Sequence, residues 1–330
     1  MRVAVTGAAG YIGSHVARLL TDRGTEVVAV DDMSAGRAER IEGIPLVRLD
    51  ISRDEAPAVL ASELRQRRVD AVIHLAARKS VGESVEQPAR YFHQNVAGLA
   101  NVVAAMQRSD VAQLVFSSSA AVYGAPAEAD LVHGLIGEDA RTLPINPYGQ
   151  TKLAGEWLVR DAAVAHGMQT VSLRYFNVAG AGHPELADTV TANLIPILLD
   201  VAARGGRPVV HGTDYPTRDG SCVRDYVHVA DLAAAHLRAL DHLSSSTGAQ
   251  AGQGDVFNVG TGVGASVLEV IAAVGRCLGR DLDPELGPRR PGDPPALVAD
   301  VSRISDRLGW RAEHGLADIV TSAVAAARHP

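Results

Sequence analysis

The chain has 330 residues, 47% of them hydrophobic and 21% charged, with a formal net charge of −7. That length and balance leave room for about two domains of an ordinary soluble globular kind. An acidic balance with no long run of Lys and Arg argues against a nucleic-acid partner, although single arginines can still grip a small anion.

Cys222 and Cys277, the two cysteines, form neither a disulfide framework nor a metal-ligand spacing, so no metal site is expected. No basic and apolar leader opens the chain, and no apolar run approaches the ~20 residues that cross a bilayer. The expectation is a cytoplasmic protein without a membrane partner.

The first strand is "RVAVT" (2–6), overlapped by "VTGAAGYIGSH" (5–15), which puts Gly7, Gly10 and Gly13 between it and a helix over 11–23. Glycines so placed give a tight turn, a close backbone approach and a helix N-terminus facing a pyrophosphate, so a bound dinucleotide is expected. "EVVAV" (26–30) is the second strand, and Asp31 closes it. An acid there accepts ribose hydroxyls and repels a 2′-phosphate, favouring NAD over NADP, while Arg37 nearby is a mild counter-argument and Asp32 an ordinary loop acid. After "PLVRL" (45–49), Asp50 and Ile51 offer an acceptor for the adenine amine and a packing surface. Ser52 and Glu55 read as a capping box for a helix over 53–68.

"DAVIHL" (70–75) and "QLVFSS" (113–118) are strands flanking a helix over 88–108, and "QTVSLRYF" (169–176) follows a helix over 148–166. Near-continuous β-branched runs are strands covered on both faces. Their alternation with helices predicts an α/β fold, a Rossmann-type doubly wound parallel sheet. Past Val178 Gly and Pro crowd the chain, with one helix near 190–204, another near 230–243, and a strand "DVFNVG" (255–260) returning to the sheet. "SSSTGAQAGQG" (244–254) reads as a polar surface loop. A helix over 266–279, the Pro-rich "GPRRPGDPP" (287–295) and two last helices complete the chain. The expected division is a nucleotide-binding domain, 1–178 plus about 228–262, and a smaller α/β substrate-binding domain, 179–227 plus 263–330.

"INPYGQTK" (145–152) carries the chemistry. Pro147 lets a helix start there, which puts Tyr148 and Lys152 four residues apart on one helical face. A phenol beside an ammonium is a candidate proton shuttle. A free phenol needs a fall of about three in pKa, ~4 kcal/mol, to work near neutrality. One cation at ~4 Å in an effective dielectric near 20 supplies roughly that. Ser119 ends "SSS" and is either a catalytic hydroxyl or a strand-end cap. His15, His74 and His228 lack ligand spacing and read as structural.

In order, "TGAAGYIG", "HLAARKSVGES", "FSSSAAVYG", "NPYGQTK", "RYFNVAG" and "VRDYVHVAD" form a set that resembles the extended short-chain dehydrogenase/reductase family, and within it the nucleotide-sugar epimerases. The likeness runs nearly end to end, through "RRPGDPP" and "ADVSRISDRLGW". It implies reversible 4-epimerisation of UDP-galactose and UDP-glucose through a 4-keto sugar, with tightly bound NAD, in a homodimer built on the helices at 88–108 and 148–166. Tyr148 is then the acid/base, Lys152 its activator and a ribose ligand, and Ser119 a hydrogen-bond partner of the sugar O4. The oxidised nicotinamide would add a second positive charge beside the phenol.

The cofactor set implied with these is Gly7, Gly10, Tyr11, Ile12, Gly13, Asp31, Asp32, Met33, Ser34, Asp50, Ile51, Leu75, Ala76, Ala77, Lys79, Gln94, Asn95, Ser117, Tyr175 and Phe176. Gln94 and Asn95 could instead hold a strand through a backbone bond, and Phe176 could be plain core. Lys79, Tyr175, Asn177, Asn193, Leu194 and Asp293 would line the substrate, with Arg224 and Arg290 as clamps on its phosphates. Val210 and His211 match the uracil site, His211 departing from the usual phenylalanine. Leu297 would face the sugar's C2 substituent, where its size suggests partial tolerance of an N-acetyl group.

Three other activities compete: epimerisation of UDP-N-acetylhexosamines or UDP-pentoses, nucleotide-sugar dehydration, and NAD sensing without turnover. Dehydration needs acids beside the catalytic serine, where this chain has Ala120 and Ala121. A sensor can lose the tyrosine or lysine that this chain retains.

Overall fold

The computed structural model describes residues 1–190, 193–245, 254–290 and 292–328. Most of the polar stretch 244–254, and Pro291 of the Pro-rich segment, lie outside them. The chain forms two compact units, one of 1–124, 144–174 and 233–257, the other of 125–143, 175–232 and 258–330.

The first part of the chain alternates as expected: β1 (Arg2–Thr6), α1 (Tyr11–Asp22), β2 (Glu26–Asp31), β3 (Leu46–Arg48), α2 (Ala56–Gln66), β4 (Ala71–His74), α3 (Val81–Glu86), α4 (Pro88–Tyr91), α5 (Gly98–Arg108) and β5 (Gln113–Ser119). A hairpin, β6 (Leu131–Val132) and β7 (Leu135–Ile136), precedes α6 (Pro147–His166) and β8 (Gln169–Tyr175). Then come β9 (Asn177–Ala179), α7 (Leu194–Ala203), β10 (Val209–His211), β11 (Val223–His228), α8 (Val229–Ser245) and β12 (Asp255–Val259). The last elements are β13 (Gly264–Ser266), α9 (Val267–Leu278), β14 (Glu285–Gly287), β15 (Ala296–Leu297), α10 (Ser302–Leu308) and α11 (Leu316–Ala327).

Seven strands form the main sheet in the order β12-β8-β5-β4-β1-β2-β3. Neighbours from β3 to β5 pair in parallel, and the order reverses beside β1, where β1 pairs with both β2 and β4. In doubly wound sheets such a switch point opens a crevice at the carboxyl ends of the strands. Helices α2 and α5 cover one face, laying Leu60, Leu64, Leu99, Val102 and Met106 against Ala4, Val28, Val72 and Leu114. Each such side chain stabilises the fold by about 1.5–3 kcal/mol when fully buried. In the second unit α7, α9 and α11 contribute Ile195, Leu198, Val270, Val274, Ile319 and Val324 to a separate core that includes Tyr226 of β11.

Three local expectations need correction. The Ser52–Glu55 capping box does not form: α2 starts at Ala56 with Pro57 in its first turn, and Ser52 Oγ instead donates to Asp50 Oδ1 at 2.7 Å. The helix expected over 88–108 is not continuous, because Phe92–Ala97 widen into a π turn between α4 and α5. Residues 125–143 cluster with the second unit, since β7 joins it through the Ile136–Ala299 bridge.

Candidate active site

At the nucleotide end, Gly7 has φ +70°, and a Cβ on it would lie 2.8 Å from Ala76 N. A Cβ on Gly13 would lie 2.0 Å from Gly7 O, so packing alone requires both glycines. Gly10 is different: its φ is −76°, and an added Cβ would meet only Gly7 O, at 3.2 Å. A side chain at Gly10 is crowded less severely than at Gly7 or Gly13, and a bare position there suits a close approach from outside. Gly10 also precedes the twelve residues of α1, whose N-terminus has neither a side-chain cap nor an acid in its first turn. Amides presented this way suit a pyrophosphate, so this end fits a dinucleotide.

Asp31 is buried at the end of β2, where its carboxylate accepts Ala9 N at 3.0 Å and Met33 N at 2.9 Å. Burial pushes its pKa up against those two amides, with Asp32 adding to the rise. Asp32 is occupied by both the amide and the hydroxyl of Ser34, while Arg37 is exposed. Asp50 is bonded to Ser52. Burial opposes its ionisation, but the Ser52 bonds and Arg53 hold its pKa below the ordinary value. Ile51 is buried against Gly98. Lys79 is exposed with its Nζ 5.7 Å from the Tyr11 ring centroid, and Ile12 is half-buried in the first turn of α1.

The loop after β4 is tied down twice. Thr6 Oγ1 accepts the amides of Leu75 and Ala76 and lies 2.8 Å from His74 Nδ1. Burial, aided by Lys152, lowers the His74 pKa to about 3, so this histidine is neutral and structural. Further along, Asn95 accepts Arg78 N at 2.8 Å and donates to Arg78 O at 3.0 Å and to Thr151 Oγ1 at 3.0 Å. Asn95 therefore holds backbone, joining the loop that carries Ala77 and Lys79 to α6. Gln94 donates to Ser52 Oγ at 3.1 Å.

The catalytic expectations converge on α6 and the end of β5. Asn146 caps α6, accepting Gly149 N at 2.9 Å, and Pro147 occupies its first position. A Cβ on Gly149 would lie 2.5 Å from Ala121 O, and one on Gly155 would lie 2.6 Å from Phe116 Cζ. Two bare positions thus let α6 press onto β5 and the turn that follows it. Lys152 is buried, its Nζ donating to Ser117 O at 2.7 Å and lying 6.0 Å from the Tyr148 ring centroid. Ser119 Oγ accepts Ala121 N at 3.2 Å and also hydrogen-bonds Tyr148. The three residues predicted for the chemistry are together.

Their electrostatics correct the simple charge-pair expectation. Burial raises the Tyr148 pKa, and the Ser119 bond only partly opposes it. Burial also lowers the Lys152 pKa to about 7, against the pull of Glu156. The expectation from the sequence rests on charge alone, that of the ammonium and of the oxidised nicotinamide, whereas desolvation disfavours the charged forms of both Tyr148 and Lys152.

In the second unit, Arg224 on β11 donates to Pro294 O at 2.8 Å and meets Asp293 Oδ1 at 3.3 Å. The arginine is therefore oriented by the loop before β15. Leu297 is half-buried and pairs with Arg224 across β11 and β15. Val210 is packed in the core, so only its backbone could meet a ligand, while His211 is half-buried and Arg290 exposed. Asn193 Nδ2 donates to Asp188 at 2.9 Å at the start of α7, beside half-buried Leu194. Asn177 is exposed on β9, and Tyr175 and Phe176 are buried.

Sequence reasoning missed Glu156 and Arg174, a buried pair behind Lys152 with Arg174 Nη2 to Glu156 Oε2 at 2.7 Å. The one available signal was the position of Glu156, four residues past Lys152.

A doubly wound sheet with a glycine loop at its switch point and a serine–tyrosine–lysine cluster at a strand end defines an extended short-chain dehydrogenase/reductase. The sequence matches the NAD-dependent epimerase/dehydratase family over residues 3–260, and the chain belongs to that family. It is 47% identical to the UDP-glucose 4-epimerase of Azospirillum brasilense, over 98% of this chain and 91% of that one. Among solved structures it is similar to the UDP-glucose 4-epimerase of Stenotrophomonas maltophila with bound NAD and formylated UDP-arabinopyranose, with TM-score 0.91, 38% identity and coverage of 99% and 98%. The enzyme of Bifidobacterium longum in complex with NAD+ and UDP gives TM-score 0.88 at 36% identity, covering 98% and 97%.

Proposed function

We propose that this protein is an NAD-dependent epimerase that interconverts UDP-galactose and UDP-glucose. Bound NAD would supply the hydride acceptor for C4 of the hexose and the donor back to the 4-keto sugar. The single observation carrying the reading is the Ser119–Tyr148–Lys152 cluster at the end of a parallel strand, in a chain of this family. Tyr148 takes the proton of the 4-hydroxyl as the C4–H bond breaks, and gives it back when that bond re-forms on the other face. Ser119 holds O4 by a hydrogen bond. Lys152, fixed on Ser117 O, supplies the positive charge that the buried phenol needs in order to ionise.

Gly10 and the N-terminus of α1 would hold the dinucleotide's phosphates, and Asp31, with carboxylate lone pairs beyond its two amide bonds, would take the ribose hydroxyls. Arg224, Asp293 and Arg290 would grip the UDP end through charge-assisted bonds. The hexose would then be held loosely enough to turn over. We further propose a cytoplasmic homodimer. The exposed apolar side chains Trp157 and Val164 on α6, with Phe92 and Val85 nearby in sequence to α4, support that assembly.

Incubating the purified protein with UDP-galactose, without added NAD, and following UDP-glucose tests the function. Conversion is expected, and its absence from a folded, NAD-containing preparation refutes the proposal.

A further inference from the structure

Behind Lys152 the first unit buries a charged cluster that the reaction does not itself use. Glu156 lies one turn beyond Lys152 on α6, as Tyr148 lies one turn before it. Its carboxylate takes Arg174 of β8 at both oxygens, Nε to Oε1 at 2.9 Å and Nη2 to Oε2 at 2.7 Å. Arg174 Nη1 donates to Tyr123 Oη at 2.9 Å. Ser118 Oγ, on β5, donates to the same Glu156 Oε1. Ser118 stands between Ser117, whose carbonyl receives Lys152, and Ser119.

A fully buried ion pair is seldom an efficient stabiliser, because desolvating both charges offsets most of their attraction and apolar residues of similar volume serve as well. This pair therefore calls for another reason, and its attachments supply one.

We propose that Glu156 is a positioning residue for the Tyr148–Lys152 pair: locked by Arg174 and Ser118, its carboxylate is the counter-charge that holds the Lys152 ammonium on Ser117 and keeps Ser119 in register with Tyr148. The proposal rests on the reading of Tyr148 and Lys152 given above. The ionisable groups around Lys152 are few. Among the described residues, Tyr148 and Glu156 share its helix, His74 of β4 is neutral, and Arg174 of β8 is bonded to Glu156. Glu83 and Tyr91, on α3 and α4 that also pack against α6, bond to each other at 2.8 Å.

The chain has only two lysines, Lys79 and Lys152, so protein carrying carbon-13 at lysine Cε gives two signals by nuclear magnetic resonance. The Lys152→Met variant assigns them. In purified protein with the cofactor it carries, the Lys152 midpoint is followed in wild type and in Glu156→Gln. Removing the carboxylate should lower that midpoint by roughly one pH unit. The alkaline limb of kcat should move down with it, since a cation held by a partner is lost as pH rises through its folded pKa. KM should change far less than kcat.

If the single variant does not fold, Glu156→Gln combined with Arg174→Gln leaves no lone buried charge and should show the same shift, smaller. A folded variant with an unchanged Lys152 midpoint and pH profile overturns the proposal. A wild-type protein that never converts UDP-galactose, or a Tyr148→Phe protein that converts it normally, instead overturns the functional reading.

Discussion

Substituting alanine for Gly155 tests whether the close approach of α6 to β5 sets the catalytic geometry. The new Cβ would lie 2.6 Å from Phe116 Cζ and 3.2 Å from Leu99 Cδ2, both in the core. Carbon atoms settle at ~3.5 Å or more, so either the Phe116 ring tilts within the core or helix and strand part by about 1 Å locally, and the tight core favours the second. Movement of that size would open the 2.7 Å bond from Lys152 to Ser117 to roughly 3.7 Å, outside hydrogen-bond range. Overpacking costs ~1–3 kcal/mol, and alanine's helix preference returns up to ~1 kcal/mol, leaving a net loss of ~0–3 kcal/mol. Turnover should fall much further, because a misplacement near 1 Å costs ~10²-fold. A thermal melt and UDP-galactose turnover separate the two effects. Adding Phe116→Leu, which vacates the contacted ring, should restore part of the activity. Wild-type turnover in folded Gly155→Ala would refute the argument.

Tyr148→Phe should keep the fold and the bound dinucleotide, yet lose ~10²-fold or more in turnover, measured against the cofactor released on denaturation. That released cofactor should be NAD(H), because an acid at the end of β2, here Asp31, would accept ribose hydroxyls and repel a 2′-phosphate. Mostly NADP(H) would show that Arg37 outweighs the acid. Leu297→Tyr should depress conversion of UDP-N-acetylglucosamine selectively and spare UDP-galactose, with discrimination of ~1–3 kcal/mol in the wild type. Equal loss of both activities, or no acetamido activity in the wild type, would show that Leu297 is not the gate.

The main sheet was readable because its strands are apolar on both faces, so "RVAVT", "EVVAV" and "DAVIHL" stand out without help from tertiary structure. The hairpin at Leu131–Ile136 was not. Its strands are two residues long, and it turns through His133 and Gly134, both at positive φ, then pairs onward through Ile136 with a residue more than 150 positions away. Ser52 shows the limit of local motifs. Its hydroxyl had a stronger acceptor two residues back, in Asp50, than the helix end ahead. Tyr148, Lys152 and Ser119 were found from spacing and resemblance. The protonation of Tyr148 and Lys152 is not legible there, because a sequence shows which charges are near one another but not how deeply water is excluded.

Both compact units are assembled from separated stretches of chain, and this governs how the protein can be made. The first unit takes residues 233–257 to complete itself, and the second draws on segments beginning at 125 and ending beyond 300. Asp225 shows the knot at atomic scale. Its carboxylate gathers the amides of Thr261, Gly262 and Ala299, so β11 cannot be secured until residue 299 exists. On the ribosome, then, the first unit cannot finish until residue 257 has been added, after two segments of the second, and the second cannot finish until its last stretch from residue 258 follows. A nascent chain halted near residue 230 would expose apolar strands awaiting partners not yet synthesised. Cutting the gene at any single point to obtain an independent half would fail for the same reason, and a chaperone that shields the chain until release would aid its folding.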